Sequence, residues 1–267
     1  EDGKFDEREI EHYREVIRAL RERGIEPFVT LWHWTNPVWI KNIGGWENKK
    51  TIEYFLRYAE RIVERFSDDV KFWITINEPT VYVGAGYFVG QFPPMVKNPL
   101  RGIRALKNLM TAHRRAYDLL HNKFGNTIML GVAHNLHCHV PANPSSWLDR
   151  LVTKIVDYVR DTRQLRLTEG KEDFVGLNYN YLDVIQFILG GGRLGFADVK
   201  NQGKNVSDLG WEIYPEGLYH VLKKAAKSNK PIYITENGVA DARDIHRAKF
   251  IGEHLRSVQK AIQEGVD

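Results

Sequence analysis

KPIYITENGV, Lys230 to Val239, reads as a short apolar strand, Ile232-Tyr233-Ile234, that hands over a carboxylate, Glu236, before Asn237-Gly238 turns the chain away. A buried strand ending in an acid puts that acid at the rim of a sheet, where parallel α/β folds keep their chemistry. Alone, Glu236 is equally an ordinary strand-end acid before an Asn-Gly turn.

A second stretch has the same form. KFWITINEP, Lys71 to Pro79, is an apolar strand over Phe72 to Ile76 that ends in Asn77-Glu78-Pro79. If both strands belong to one parallel barrel, the two glutamates face each other across its mouth. A pair of opposed carboxylates is what cleavage of a glycosidic bond requires: one protonates the leaving oxygen, the other attacks or activates water.

The bulk numbers fit such a barrel. The chain has 267 residues, and a β/α barrel uses about 250 as one domain. A single catalytic domain over residues 1–267 is therefore expected. With 43% hydrophobic residues there is material for a core, which excludes disorder. The net charge is +4, with 38 basic residues interleaved with 34 acidic ones. Stretches such as Arg14 to Arg23 read as solvated helix faces rather than a nucleic-acid stripe. One cysteine, Cys138, excludes an internal disulfide framework and points to a reducing, cytoplasmic setting. The sequence holds neither an apolar run long enough for a membrane span nor a signal peptide, which predicts a soluble protein.

Strand and helix alternate along the chain. Asp6 and Glu9 form a capping box for a helix with the apolar stripe Ile10, Tyr13, Val16, Ile17 and Leu20, which Gly24 ends. Further helices are predicted over 51–66, 100–124, 147–160, 218–227 and 244–263. Strands are predicted over about 27–33, 71–77, 127–133, 173–179 and 231–235, three fewer than a closed eight-stranded barrel needs. Tyr82 to Pro94 reads as a long aromatic- and glycine-rich connection, and Gly190-Gly191-Gly192 as a mobile loop.

Together these residues resemble a family. TINEP (Thr75 to Pro79) and ITENG (Ile234 to Gly238) are similar to the two signature motifs of glycoside hydrolase family 1, the retaining β-glycosidases. TLWHWTNP (Thr30 to Pro37), GGW (Gly44 to Trp46), His113 with Ala116-Tyr117, DFVGLNY (Asp173 to Tyr179) and GWEIYPEGL (Gly210 to Leu218) match in the family's order, with an overall look closest to its compact archaeal members. The resemblance implies a (β/α)8 TIM barrel, here incomplete because the family's strands one, two and eight have no counterpart. It implies hydrolysis of terminal β-linked glucosyl or galactosyl residues through a covalent intermediate. Residue by residue, it makes Glu78 the acid/base, Glu236 the nucleophile, and His33, Trp34, Asn77 and Tyr179 substrate-binding. No cofactor is implied; the partner is a small β-glycoside. The family's second tyrosine on strand six has no plain match, since Asn178-Tyr179 is followed by Asn180 and then Tyr181.

Two other classes stand beside this one: a truncated or engineered barrel piece serving as scaffold or weak sugar binder, and a metal-dependent barrel hydrolase. For the latter, His134, His137 and His139 with Cys138 admit a zinc reading, since a His-x-His pair on a strand points both rings the same way. Without a carboxylate at matching spacing, and with Pro141 nearby, they read as surface histidines, and no metal is expected.

Overall fold

A computed structural model describes residues 3–190, 193–198 and 205–267. In chain order its helices are α1 (Glu7–Glu22), α2 (Val38–Asn42), α3 (Lys50–Phe66), α4 (Pro79–Val83), α5 (Pro99–Phe124), α6 (Trp147–Asp157), α7 (Arg163–Thr168), α8 (Pro215–Ala225) and α9 (Arg247–Gln263). The strands are β1 (Phe28–Thr30), β2 (Phe72–Asn77), β3 (Met129–Asn135), β4 (Cys138–Pro141), β5 (Phe174–Asn178), β6 (Leu182–Gly190), β7 (Arg193–Asp198) and β8 (Ile232–Glu236). The chain divides into two compact units, Glu1–Ala133 with Thr168–Phe174, and His134–Leu167 with Val175–Asp267.

In the first unit β1, β2 and β3 run parallel, Phe28 opposite Phe72 and Phe72 opposite Met129. Phe28 stacks on Phe72 at 4.3 Å, and Phe174 meets both rings edge-on at 5.8 and 6.1 Å. Helix α3 covers this layer with Ile52, Phe55, Ala59, Val63 and Phe66, all buried at its apolar spacing. Helix α5 starts on Asn98, whose side chain accepts from the Leu100 and Arg101 N–H groups, with Pro99 in the first turn. Asp173 ties sheet to helix: its carboxylate accepts the Leu130 N–H at 2.7 Å and the Tyr117 hydroxyl at 2.8 Å, and His121 Nε2 lies 2.8 Å away. Helix α1 is capped by Asp6 as the sequence predicts, but only part of its stripe is covered: Ile10 and Ile17 are buried while Tyr13 and Val16 stay exposed.

Gly131 on β3 lets Phe174 come close. A Cβ there would lie 2.6 Å from Phe174 Cε2 and 2.7 Å from the Phe174 carbonyl oxygen. Since backbone cannot step aside, Gly131→Ala is expected to cost about 1–3 kcal/mol, read as a lower urea midpoint. An unchanged midpoint would mean that this approach is not tight.

In the second unit β5 and β8 are parallel, Val175 opposite Ile232, and β4, β6 and β7 form a separate three-stranded sheet. Leu136, Val175, Leu177, Tyr179, Leu218 and Val221 are buried in its core. β4 runs parallel to β6, with His139 opposite Asp183, and β6 returns antiparallel as β7.

The five predicted strands correspond to β1, β2, β3, β5 and β8, while β4, β6 and β7 are additional. Of the predicted glycine loop, Gly190 ends β6, and Gly191 and Gly192 lie outside the described residues. The connection after Glu78 is less irregular than expected: α4 leads into a π-helical turn, Gly84–Val89. A second such turn, Tyr158–Thr162, follows α6.

Candidate active site

In the first unit, β2 delivers Asn77 and Glu78 through an irregular end. Ile74 pairs with Gly131 but Asn77 pairs with Ala133, so β2 carries one extra residue in between. Bulges of this kind re-aim side chains beside functional sites. Within the bulge, Thr75 Oγ1 lies 2.8 Å from His113 Nδ1 and 3.3 Å from the Gly131 carbonyl. Glu78 itself sits at φ +43°, ψ +59°, a left-handed conformation unusual for a side-chain-bearing residue and doubly so before proline. It is held there because its N–H donates to the Ala133 carbonyl at 2.8 Å and its carbonyl accepts the Tyr82 N–H at 3.0 Å. Strain of this size, about 1–3 kcal/mol, gathers at functional sites. The Glu78 side chain is only 6% exposed.

Three of the other sequence-predicted residues meet one another at the neighbouring Asn77. Asn77 Nδ2 lies 3.2 Å from His33 Nε2, and the Trp34 indole N–H donates to the Asn77 carbonyl at 3.0 Å. Trp34 also has a positive φ, +70°, and its ring lies 5.8 Å from Phe92 and 6.5 Å from Tyr82. Amide and imidazole groups beside an indole face suit a polyhydroxylated ring: hydroxyls take the polar groups and the apolar face takes the indole. Exposed His33 also lines a cavity of about 510 Å³ with Trp32, Trp39, Tyr54 and Arg57. Unread in the sequence was the packing behind these residues. Trp32 meets Trp46 and Tyr82 edge-on at 5.2 and 4.9 Å, and its indole N–H donates to Asn36 Oδ1 at 3.0 Å.

In the second unit, β8 repeats the device. Ile234 pairs with Leu177 but Glu236 pairs with Asn178, so β8 also carries one extra residue before its glutamate. Thr235 in that bulge donates its hydroxyl to Asn178 Oδ1 at 2.5 Å. The Glu236 carbonyl accepts the Tyr179 N–H at 3.0 Å, the Asn237 amide donates to the Tyr179 carbonyl at 2.6 Å, and Glu236 is half-buried. Each glutamate thus ends a strand at a Thr-containing bulge with an asparagine next to it.

Tyr179 does not fit a substrate-binding role. Its side chain is fully buried and its hydroxyl donates to the Tyr214 carbonyl at 2.7 Å, so neither ring nor hydroxyl is open to a ligand. Gly217 leaves room for that hydroxyl, since a Cβ there would come within 1.9 Å of it. Tyr181 is half-exposed and stacks on Trp211 at 4.5 Å.

The histidine-rich stretch is not at the surface either. His134 is fully buried with Nδ1 3.4 Å from Gln164 Oε1, and the His139 side chain is fully buried. The carboxylates that sequence spacing did not supply come from elsewhere: Asp157 and Asp161 from the end of α6 and its π-helical turn, and Asp183 from β6. Lys224 on α8 bonds both Asp157 and Asp161, and Arg160 donates to Asp183 at 2.9 Å. Burial works to raise the Asp161 carboxyl, but His137, Lys224 and His139 hold it below the usual carboxylate range. Burial works to lower His139, but the Asp157 and Asp183 carboxylates beside its ring and the charge of Asp161 hold it up at about 9.

A sequence profile described as glycosyl hydrolase family 1 matches residues 1–157 and 152–267. Beta-glucosidase A of Thermotoga maritima is 31% identical over 99% of this chain and 67% of its own length. A beta-galactosidase of Pyrococcus woesei is 29% identical over 97% of this chain and 62% of its own. Among solved structures, a beta-glycosidase from Pyrococcus horikoshii superposes with a TM-score of 0.92 at 33% identity, covering all of this chain and 66% of that one. The chain therefore spans between 62% and 67% of the length of these three relatives.

Proposed function

The chain belongs to glycosyl hydrolase family 1 and has the family's β/α-barrel fold, incomplete among the described residues, and from this premise we propose that it is a retaining β-glycosidase acting on terminal β-linked glucosyl or galactosyl residues. The observation that carries the reading is the strained, buried Glu78 at its bulge, with His33 and Trp34 against the adjoining Asn77. In this proposal protonated Glu78 gives its proton to the leaving oxygen while ionised Glu236 attacks the anomeric carbon, forming the glycosyl ester. Glu78, now a base, takes a proton from water; the water oxygen bonds to the anomeric carbon and Glu236 leaves as carboxylate. The mechanism asks for carboxyl groups only about 5–5.5 Å apart, because the nucleophile must reach the carbon directly. Asn77, His33 and Trp34 hold the sugar. Among the described residues no helix is long and apolar enough to cross a membrane. A small β-glycoside as substrate and a cytoplasmic setting complete the proposal.

The test is intact mass after incubation with a 2-deoxy-2-fluoro-β-glucoside carrying a good leaving group. The fluorine slows both steps but the leaving group rescues the first, so the ester accumulates. The expected result is one added fluoroglucosyl unit, mapping to Glu236. The coverage of relatives, 62% to 67%, favours a second reading: a sugar-binding scaffold without turnover. That reading forbids the adduct, and an adduct at any other carboxylate would overturn the assignment of Glu236.

A further inference from the structure

We propose that His137, His139 and Asp183 form a binding site for a zinc-class divalent cation that clips β4 to β6, separate from the glutamate chemistry. Ligand atoms of the three side chains lie within 4.8 Å of one another. The His137 and His139 rings approach to 5.5 Å between centroids, tilted by 46°. Cys138, between them, points the other way, into the apolar core with Leu177 and Tyr179. Asp183 stands directly opposite His139 in the parallel β4–β6 pairing, with its Oδ2 3.4 Å from His139 Nε2.

The unpartnered atoms point to a cation. His137 Nδ1, His139 Nε2, Asp161 Oδ1 and Asp183 Oδ1 are buried without a hydrogen-bond partner; His137 Nδ1 and Asp161 Oδ1 face each other at 3.7 Å, too far for a hydrogen bond. The His139 and Asp183 side chains are fully buried. Buried polar atoms are rarely left so, and an ion is one of the few explanations. The outer contacts are those that metal-binding residues use. His139 Nδ1 lies 3.2 Å from Asp157 Oδ1, so the ring's remaining N–H has a carboxylate to donate to. Arg160 orients Asp183 through its Oδ2, leaving Oδ1 for the ion.

A neighbouring set, His139 with Asp157 and Asp161, is also close enough to hold an ion. Lys224 already occupies it, donating to both carboxylates. Two imidazole nitrogens and one carboxylate oxygen suit Zn²⁺ or Co²⁺ in tetrahedral coordination, with water as the fourth ligand and metal–ligand distances of about 2.0–2.2 Å.

The test uses tag-free, chelator-treated protein titrated with Co²⁺, read by visible d–d absorption, and with Zn²⁺, read by melting temperature. The expected result is one equivalent of tetrahedral Co²⁺ and a higher melting temperature with Zn²⁺. His139→Ala and Asp183→Asn should abolish both signals, and Cys138→Ser should leave them intact. Asp157→Asn should weaken affinity about 10–100-fold. If His139→Ala fails to fold, His137→Ala at the more open edge of the cluster takes its place. No band and no shift in the parent protein would mean an imidazolium–carboxylate network only. A band that survives both His139→Ala and Asp183→Asn would put the ion elsewhere. Either outcome overturns the site.

Discussion

Replacing Glu78 by glutamine is expected to lower kcat/KM for an alkyl β-glucoside by about 10²–10⁴-fold, the usual reach of a positioned general acid. The same substitution should leave kcat/KM for a dinitrophenyl β-glucoside nearly unchanged. The contrast follows from the role proposed for Glu78. An alkoxide cannot leave without a proton, whereas dinitrophenolate can, and kcat/KM reports only the steps through cleavage of the first bond. Glutamine keeps the size and the backbone demands of the site. The left-handed turn at residue 78 rests on the N–H bond to Ala133 and the carbonyl bond from Tyr82, neither of which involves the side chain. With either substrate kcat should still fall, because the same residue must activate water in the second step. Equal losses of kcat/KM for both leaving groups would mean that Glu78 shapes or binds rather than protonates, and the proposed mechanism would be lost with it.

The parallel strands could be read from the chain because each is a short run of β-branched and aromatic residues closed by a turn signal. FWITINEP and IYITENG carry their boundaries within a few residues, and β2 and β8 begin and end close to where those signals put them. The bulges could not be read, since an extra residue in a strand depends on which neighbour it pairs with. Nor could β4 and β6. CHVP is four residues long with a terminal proline, and its partner lies in a segment whose polar and apolar residues fit no clear period.

Burial was misread where partners come from far along the sequence. A cluster of histidines looks like surface until Asp157, Asp161 and Asp183 arrive from two other elements to match it. Tyr179 failed for the opposite reason. Its place at the end of β5 suggests a rim position, but its ring continues the apolar face of Val175 and Leu177 into the core. His33, Trp34 and Asn77 meet one another just beyond the ends of β1 and β2, where order along the chain already brings them close.

Lys224→Met should destabilise the chelator-treated protein by about 3 kcal/mol near neutral pH, against about 3–5 kcal/mol for breaking fully buried ion pairs. The methionine keeps the apolar stem but removes the ammonium that bonds Asp157, Asp161 and the His137 carbonyl. Asp161 is fully buried, and its carboxylate would be left with the His137 N–H and its two neighbouring imidazoles. The lower figure applies because Asp157, 32% exposed, can recover water. Lys123 is the internal contrast. It also bonds two carboxylates, Glu60 at 2.9 Å and Glu64 at 3.2 Å, yet all three side chains are more than a third exposed. Lys123→Met should therefore change stability by no more than about 0–1 kcal/mol. Urea unfolding of the two variants side by side decides the point. Similar small losses would mean that water reaches the Asp157–Asp161–Lys224 cluster, and that its carboxylates do not depend on buried partners.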